Sequence, residues 1–484
     1  MSQEFQFRLS DFSGGLNTRK SIYLIDDNQA SYIRNVDFDG ADIGTLKKRA
    51  GYTKLNSSAY SGSGGIFSIY RAWFSDATSV IVISSHTKTA FWTGSAWTDM
   101  TTGLTSEQRF GYTMFNDLMI SGNATETTKK MNSAGTESAL AGSPPNARYF
   151  ATWQNRVWAS GNSSFPNRLY FSALNNEADW TTAGDAGNVD VDKNSGDNIT
   201  GIMPQGNRLL IFKNAAIYEL TWSSPQNYRI DPVTKMVGCI AGRTVVDVDG
   251  VILFLHGGGA WDRGVYALDR NNGLRLMSEN ITPTLVESAA TSLQTACAAF
   301  YKNSYWLCAD NGGSGDNNVI YTLNLRTGAW SYYTGIAANS IYADTRLGTV
   351  RLLAGHATAG TVMQPDNGTD DDTASINFVW RSKHFAFGVP EARKVVQDIH
   401  FMGKTQTTTI TVESYINGTA ASWSQSLQFG GGANAINFKT LHPSPTTQNA
   451  NTYALDFTAN NTGSVQIYSV GMKGLVEDVL EDGQ

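Results

Sequence analysis

Four strand-length runs, each closed by a turn of Gly, Asn, Asp or Ser, recur along the chain with a period of roughly 40–47 residues, the spacing of a propeller blade. One quartet runs through 66–74, 79–84, 89–92 and 96–100, and another through 199–204, 208–212, 216–222 and 228–232. Six such quartets fit between residues 66 and 333, and three further runs at 341–344, 349–354 and 360–363 lack a fourth. The expectation is an all-β protein with a propeller of six or seven blades, the strand count favouring seven. A strand around Thr45–Tyr52 is expected to complete the last blade and tie the ring shut, which removes an edge that would otherwise pair with other chains.

Composition agrees with many short strands and tight turns. There are 47 Gly among 484 residues, and only 16% of residues are charged, against a usual value of about 25%. That excludes a coiled coil or a polyelectrolyte. The net charge of -6 argues against a protein that grips nucleic acid by releasing its counterions. Met1 begins a stretch with no basic and apolar leader pattern, and Val251–Leu255 is the longest strongly apolar run, far short of a bilayer span of about 20 residues. A protein made in a cytoplasm, with no membrane span, is expected.

Residues 1–55 stand apart from the repeat. Asp26, Asp27 and Asn28 precede Ala30 and Ile33 in a pattern that predicts one short helix. Residues 366–375 are expected to be a linker, residues 376–475 a β-sandwich of seven or eight strands, and 476–484 an acidic tail. The repeated Trp residues, as in Trp92-Thr-Gly-Ser-Ala-Trp97 and Asn324-Leu-Arg-Thr-Gly-Ala-Trp330, are expected to pack between blades.

Searching for chemistry returns no catalytic constellation. The six His have no metal-ligating spacing, and no nucleophile elbow or phosphate-binding loop occurs. His256-Gly-Gly-Gly259 lacks the nucleophile that an oxyanion loop serves. The acidic stretches 192–197, 310–316 and 370–372 are read as solvated turns. No catalytic residue, cofactor or metal is expected, and the chain is not read as an enzyme. Three cysteines make no disulfide framework. If Lys302-Asn303 is a two-residue hairpin turn, Cys297 and Cys308 face each other as buried, reduced thiols.

Several segments resemble one family. Asp11-Phe-Ser-Gly-Gly-Leu-Asn-Thr18, Asn35-Val-Asp-Phe38 and Leu46-Lys-Lys-Arg-Ala-Gly-Tyr52 resemble the opening of the tail nozzle proteins of short-tailed phages (podoviruses), also called tail tubular protein B, tail hub or packaged-DNA stabilisation proteins. Asn167-Arg-Leu-Tyr-Phe-Ser172, Asn176-Glu-Ala-Asp-Trp180, and Gly206-Asn-Arg-Leu-Leu-Ile-Phe212 with Ile217-Tyr-Glu-Leu220 are similar to its central part. The resemblance covers residues 11–365 and implies a structural virion protein. It implies a homo-hexamer around the tail channel, below the portal and an adaptor ring, that retains packaged DNA, carries spikes or fibres, and lets double-stranded DNA pass without tight binding at ejection. It implies assembly in the host cytoplasm. Phe12, Leu16, Arg19, Lys47, Lys48 and Arg49 are then the candidate docking or inter-subunit residues. The alternative is a receptor- or glycan-binding propeller of a phage tail.

Overall fold

The computed structural model describes residues 3–38, 42–60, 64–259, 261–345, 350–405, 408–430, 435–444 and 449–477. Seven four-stranded antiparallel sheets follow one another along the chain. Their inner strands begin at Ile66, Gly111, Tyr149, Ile199, Val246, Cys297 and Ala338. The inner strands follow one another around the ring, with the turn Gly242–Thr244 standing between Ile199–Gln205 and Val246–Val248, and Ala338–Asp344 returns to lie beside Ile66–Trp73. The molecule is therefore a seven-bladed β-propeller, here numbered from blade 1 (66–101) to blade 7 (338–365 with 52–54).

Turn chemistry fixes the registers. Lys302 and Asn303 both adopt positive φ, 46° and 62°, the conformation a two-residue hairpin turn demands. Cys297 consequently pairs with Cys308 across the ladder. Trp158 is fully buried and meets Trp222 edge-on at 4.9 Å, so the aromatic strands fill the space between blades 3 and 4. Trp330 is 1% exposed and donates from Nε1 to the Met277 carbonyl at 2.9 Å, joining blade 6 to the end of blade 5.

The ring closes differently from expectation. Thr45–Tyr52 is not one strand. Leu46–Lys48 joins the other domain, and Tyr52–Lys54 pairs with Val362–Pro365 as the fourth strand of blade 7. The break falls at Arg49, whose backbone N–H is taken by the Asn35 carbonyl at 2.9 Å.

The second domain is a sandwich of a seven-stranded and a six-stranded sheet. It is not confined to 376–475. Gln3–Leu9 and Leu46–Lys48 pair with Val465–Glu477 in the larger sheet, and Gln29–Arg34 pairs with Ile376–Ser382 in the smaller. The helix expected over 26–35 is absent. Asp26-Asp27-Asn28 form a turn in which the Asp26 carbonyl accepts from Gln29 N at 3.0 Å. The following Tyr32 and Ile33 favour extended backbone and pair with Arg381 and Trp380. Thr282–Glu287, after blade 5, is the one α-helix among the described residues. Residues 478–484 of the expected tail lie outside the described residues.

One hydrophobic core runs through both domains. It joins Phe12, Ile33 and Val36 of the N-terminal segment to Leu255, Tyr305 and Trp330 of blades 5 and 6 and to Phe378, Trp380 and Phe457 of the sandwich. A continuous buried core makes the two domains move as one unit.

Candidate functional site

The residues singled out in the N-terminal segment converge on the seam between propeller and sandwich. Phe12 is fully buried and meets Trp380 edge-on at 5.2 Å. Leu16 is 4% exposed in the same core, beside blade 6. Gly15 has φ 70° and sits so close to blade 6 that a Cβ there would meet the Trp330 backbone N at 2.6 Å. Glycine is required on both counts.

Arg49 is the centre of the seam. Its guanidinium is 2% exposed and grips Asp371 with two hydrogen bonds, of 2.8 and 2.6 Å. The fork also donates to Asn35 Oδ1 at 2.8 Å and to the Thr334 carbonyl at 2.8 Å. Asn35, at φ 58°, donates in turn to the Asn377 carbonyl at 2.8 Å and accepts from Thr334 N at 2.9 Å. Four chain segments thus meet on one guanidinium and one amide. Lys48 lies alongside, its ammonium donating to the Asn461 carbonyl at 2.8 Å and the Thr369 carbonyl at 3.1 Å. Burial, helped by the neighbouring Arg49 charge, pulls its pKa down to about 8.

These contacts correct the docking expectation for four residues. Phe12, Leu16, Lys48 and Arg49 spend their side chains inside the chain, so they hold its own domains together. Arg19, paired with Glu279 at 3.4 Å, and half-buried Lys47 remain accessible. Residues 366–375 are likewise not a free linker: Gly368 and Asp370 carbonyls accept from Gly51 and Tyr52 N–H, and Asp371 is buried under Arg49. Sequence reasoning quoted Asn35 without giving it a role and took Asp371 for solvent-facing. The signal that pairs them is a basic triplet and an acidic triplet flanking the same ring closure.

The propeller axis is occupied by side chains. Arg243, before blade 5, donates to the carbonyls of Phe67, Asn339 and Thr295 at 2.9, 3.0 and 2.7 Å, spanning to blades 1 and 7 and to the turn that leads into blade 6. Further along the inner strands, Tyr70 stacks on Tyr112 at 5.1 Å and meets Tyr342 at 5.9 Å.

The acidic loops are internally satisfied. Asp310 is fully buried and accepts from Gly313, Ser314 and Gly315 N–H. Asp197 accepts from Asn214 and Ala215 N–H at 3.0 Å each. Among the described residues no three His, Cys, Asp or Glu side chains converge as a metal site requires.

No family model and no curated protein sequence matches the chain. Solved structures are similar to it at the level of fold. The CNH domain of AfRom2 is 8% identical, with 65% of this chain and 98% of that one covered at a TM-score of 0.41. The WD40 domain of Neurospora crassa Pan2 is 10% identical over 66% and 98%, with a TM-score of 0.41. The extracellular domain of a one component system from B. thetaiotaomicron is 10% identical over 88% of this chain and 62% of its own, with a TM-score of 0.46.

Proposed function

We propose that the chain is a structural virion protein, a tail nozzle subunit that extends the DNA channel below portal and adaptor, retains the packaged genome and releases it at ejection. One observation carries this reading. The segments through which the sequence resembles the nozzle family, 11–18, 35–38 and 46–52, are those that lock sandwich to propeller through Phe12, Asn35 and Arg49. The common motif marks a rigid joint and not a substrate cleft, which suits a protein whose task is mechanical.

The occupied axis adds a constraint. A channel crossed by Arg243 has no room for a duplex, so DNA passage has to be built between copies. A homo-hexameric ring on an adaptor, bearing spikes or fibres, provides such a lumen. The net charge of -6 suits a wall that DNA slides past without tight binding. No catalytic role belongs to this reading.

Particles assembled without the protein test it. Heads that package DNA but leak it, and lack the distal tail by electron microscopy, are the expected result. Full, stable heads with complete tails that fail to adsorb would instead favour the receptor-binding reading. Trp261 is the observation behind that second reading: it is 92% exposed on a blade 5 loop. Loss of glycan binding in a Trp261→Ala variant would establish it.

A further inference from the structure

Gln3–Leu9 is an edge strand of the larger sandwich sheet. On one side it pairs with Val465–Glu477, from Gln3 opposite Val476 to Leu9 opposite Val470, with no bulge. On its other side no backbone group among the described residues bonds to it. Alternate residues of an antiparallel edge strand turn both N–H and C=O outward, so a row of donors and acceptors is left open. Gln3, Glu4, Gln6 and Arg8 are exposed. Natural sheets blunt such an edge with Pro, a bulge or like charges. This strand has neither Pro nor bulge, and its only charges are one Glu and one Arg.

The strand's own sequence says what covers it. Glu4-Phe-Gln-Phe-Arg8 is symmetric about Gln6, with a Phe on each side and then charges of opposite sign. Laid antiparallel on a second copy about a two-fold axis through Gln6, it sets Glu4 opposite Arg8 of the second copy and Phe5 opposite Phe7 of the second copy, each pair occurring twice. Side chains alternate between the faces of a strand, so the Phe pairs share the inner face and the charge pairs the outer one. Opposed charges and opposed aromatics are the cross-strand pairs that stabilise a sheet. A centre on Phe5 or Phe7 instead sets one of the charges against Gln6 and loses both ion pairs. Within the chain Glu4 meets Lys473 at 3.6 Å with 63% of its side chain exposed, so it is free to turn to a stronger partner.

The surface beside the edge is apolar. A groove of about 620 Å³ has Phe5, Phe7, Tyr23, Leu24, Phe385 and Phe387 in its wall, and Leu24 is 72% exposed. Two-fold pairing brings the grooves of both copies to the contact.

We propose that a second copy of the chain pairs along Gln3–Leu9, giving a two-fold dimer in which the two larger sheets become one continuous sheet. The dimer is a property of the free chain and does not rest on the role proposed in the virion.

Sedimentation velocity of the full chain over a range of concentrations tests it, with thermal unfolding alongside to check the fold of each variant. A monomer–dimer equilibrium weakened by salt is expected. Glu4→Arg and Arg8→Glu each set like charges opposite one another twice, and each is expected to weaken dimerisation at least about tenfold. Mixing the two variants is expected to restore it, because one then carries two positive charges along the edge and the other two negative. Glu4 and Arg8 lie about 13 Å apart on one strand, so only contact between copies explains recovery on mixing. A parent chain that stays monomeric at every concentration overturns the proposal. So does a cyclic oligomer larger than a dimer, a dimer that both variants leave as tight as the parent's, or folded variants whose mixture associates no better than either alone.

Discussion

Asp344 of blade 7 and Arg71 of blade 1 form a buried two-pronged ion pair, with Nε and Nη2 of Arg71 at 2.5 and 2.7 Å from the two carboxylate oxygens. The partners are 0% and 4% exposed. Arg351 adds a third bond to Asp344 at 2.9 Å. The clasp therefore sits on the inner strands where the last blade meets the first, at the opposite edge of blade 7 from the Tyr52–Lys54 strand that completes it. Removing one member of a buried pair strands the other charge at a cost of about 3–5 kcal/mol. Asp344→Ala is expected to lower stability by that order, read as a reduced denaturant midpoint, and Asp344→Ala with Arg71→Met is expected to recover part of the loss. A single variant as stable as the parent would show that the clasp does not hold the ring.

The same carboxylate makes ring closure sensitive to acid. Burial alone would raise the Asp344 pKa, but Arg71 and Arg351 outweigh it and hold it below the ordinary carboxylate value. A carboxylate depressed in the folded state contributes stability that is fully present above its unfolded pKa of about 3.9 and lost as pH falls through the folded value. Below about pH 4 the parent chain is expected to lose midpoint more steeply than Asp344→Asn. Parallel profiles for the two would remove Asp344 as a source of the acid sensitivity.

At the seam, Arg49 is expected to tolerate no substitute. Arg49→Lys keeps the charge but not the fork that reaches Asp371, Asn35 and Thr334 together. Both Arg49→Lys and Arg49→Met are expected to destabilise, by about 2 and about 3–5 kcal/mol respectively. Hydrogen exchange is expected to rise at residues 334–335 and 368–372. Gly51→Ala is expected to do the same by contact alone, since its Cβ would meet the Asp370 carbonyl oxygen at 1.6 Å. Exchange confined to the sandwich edge would refute a coupled seam.

The blades were legible because each is a local object. Four adjacent runs and their turns specify a sheet without help from distant sequence, and Tyr149–Trp153, Val251–His256 and Gly264–Leu268 fall where alternation and turn residues put them. The blade count was harder, because the seventh sheet takes Tyr52–Lys54 from one end of the repeat and Val362–Pro365 from the other. Gln29–Arg34 misled for the same reason. Its capping-like prelude is local, but its strand partner Trp380 is about 350 residues away. Nothing nearby in sequence shows that Lys48 and Arg49 turn inward; the Asn461 carbonyl and the Asp371 carboxylate receive them from across the molecule.

The opposed thiols yield a last prediction. Cys297 and Cys308 are 3% and 0% exposed, and Cys239 is fully buried. All three are expected to resist a thiol reagent in the native protein and to titrate as three free thiols after denaturation. Their order of reactivity on brief opening follows from their surroundings. The hydrogen bond with Cys308 pulls the Cys297 pKa below the ordinary thiol value against burial, with the Arg243 and Arg109 charges adding to the effect. Burial pushes Cys239 up to about 11. At pH 8 Cys297 is expected to be the first peptide alkylated, as read by mass spectrometry, and Cys239 to lag. Cys308→Ala is expected to move the alkylation profile of Cys297 to higher pH, because the hydrogen bond that favours its thiolate is gone. Alkylation of Cys239 ahead of Cys297 would show that access, and not thiolate character, sets the order.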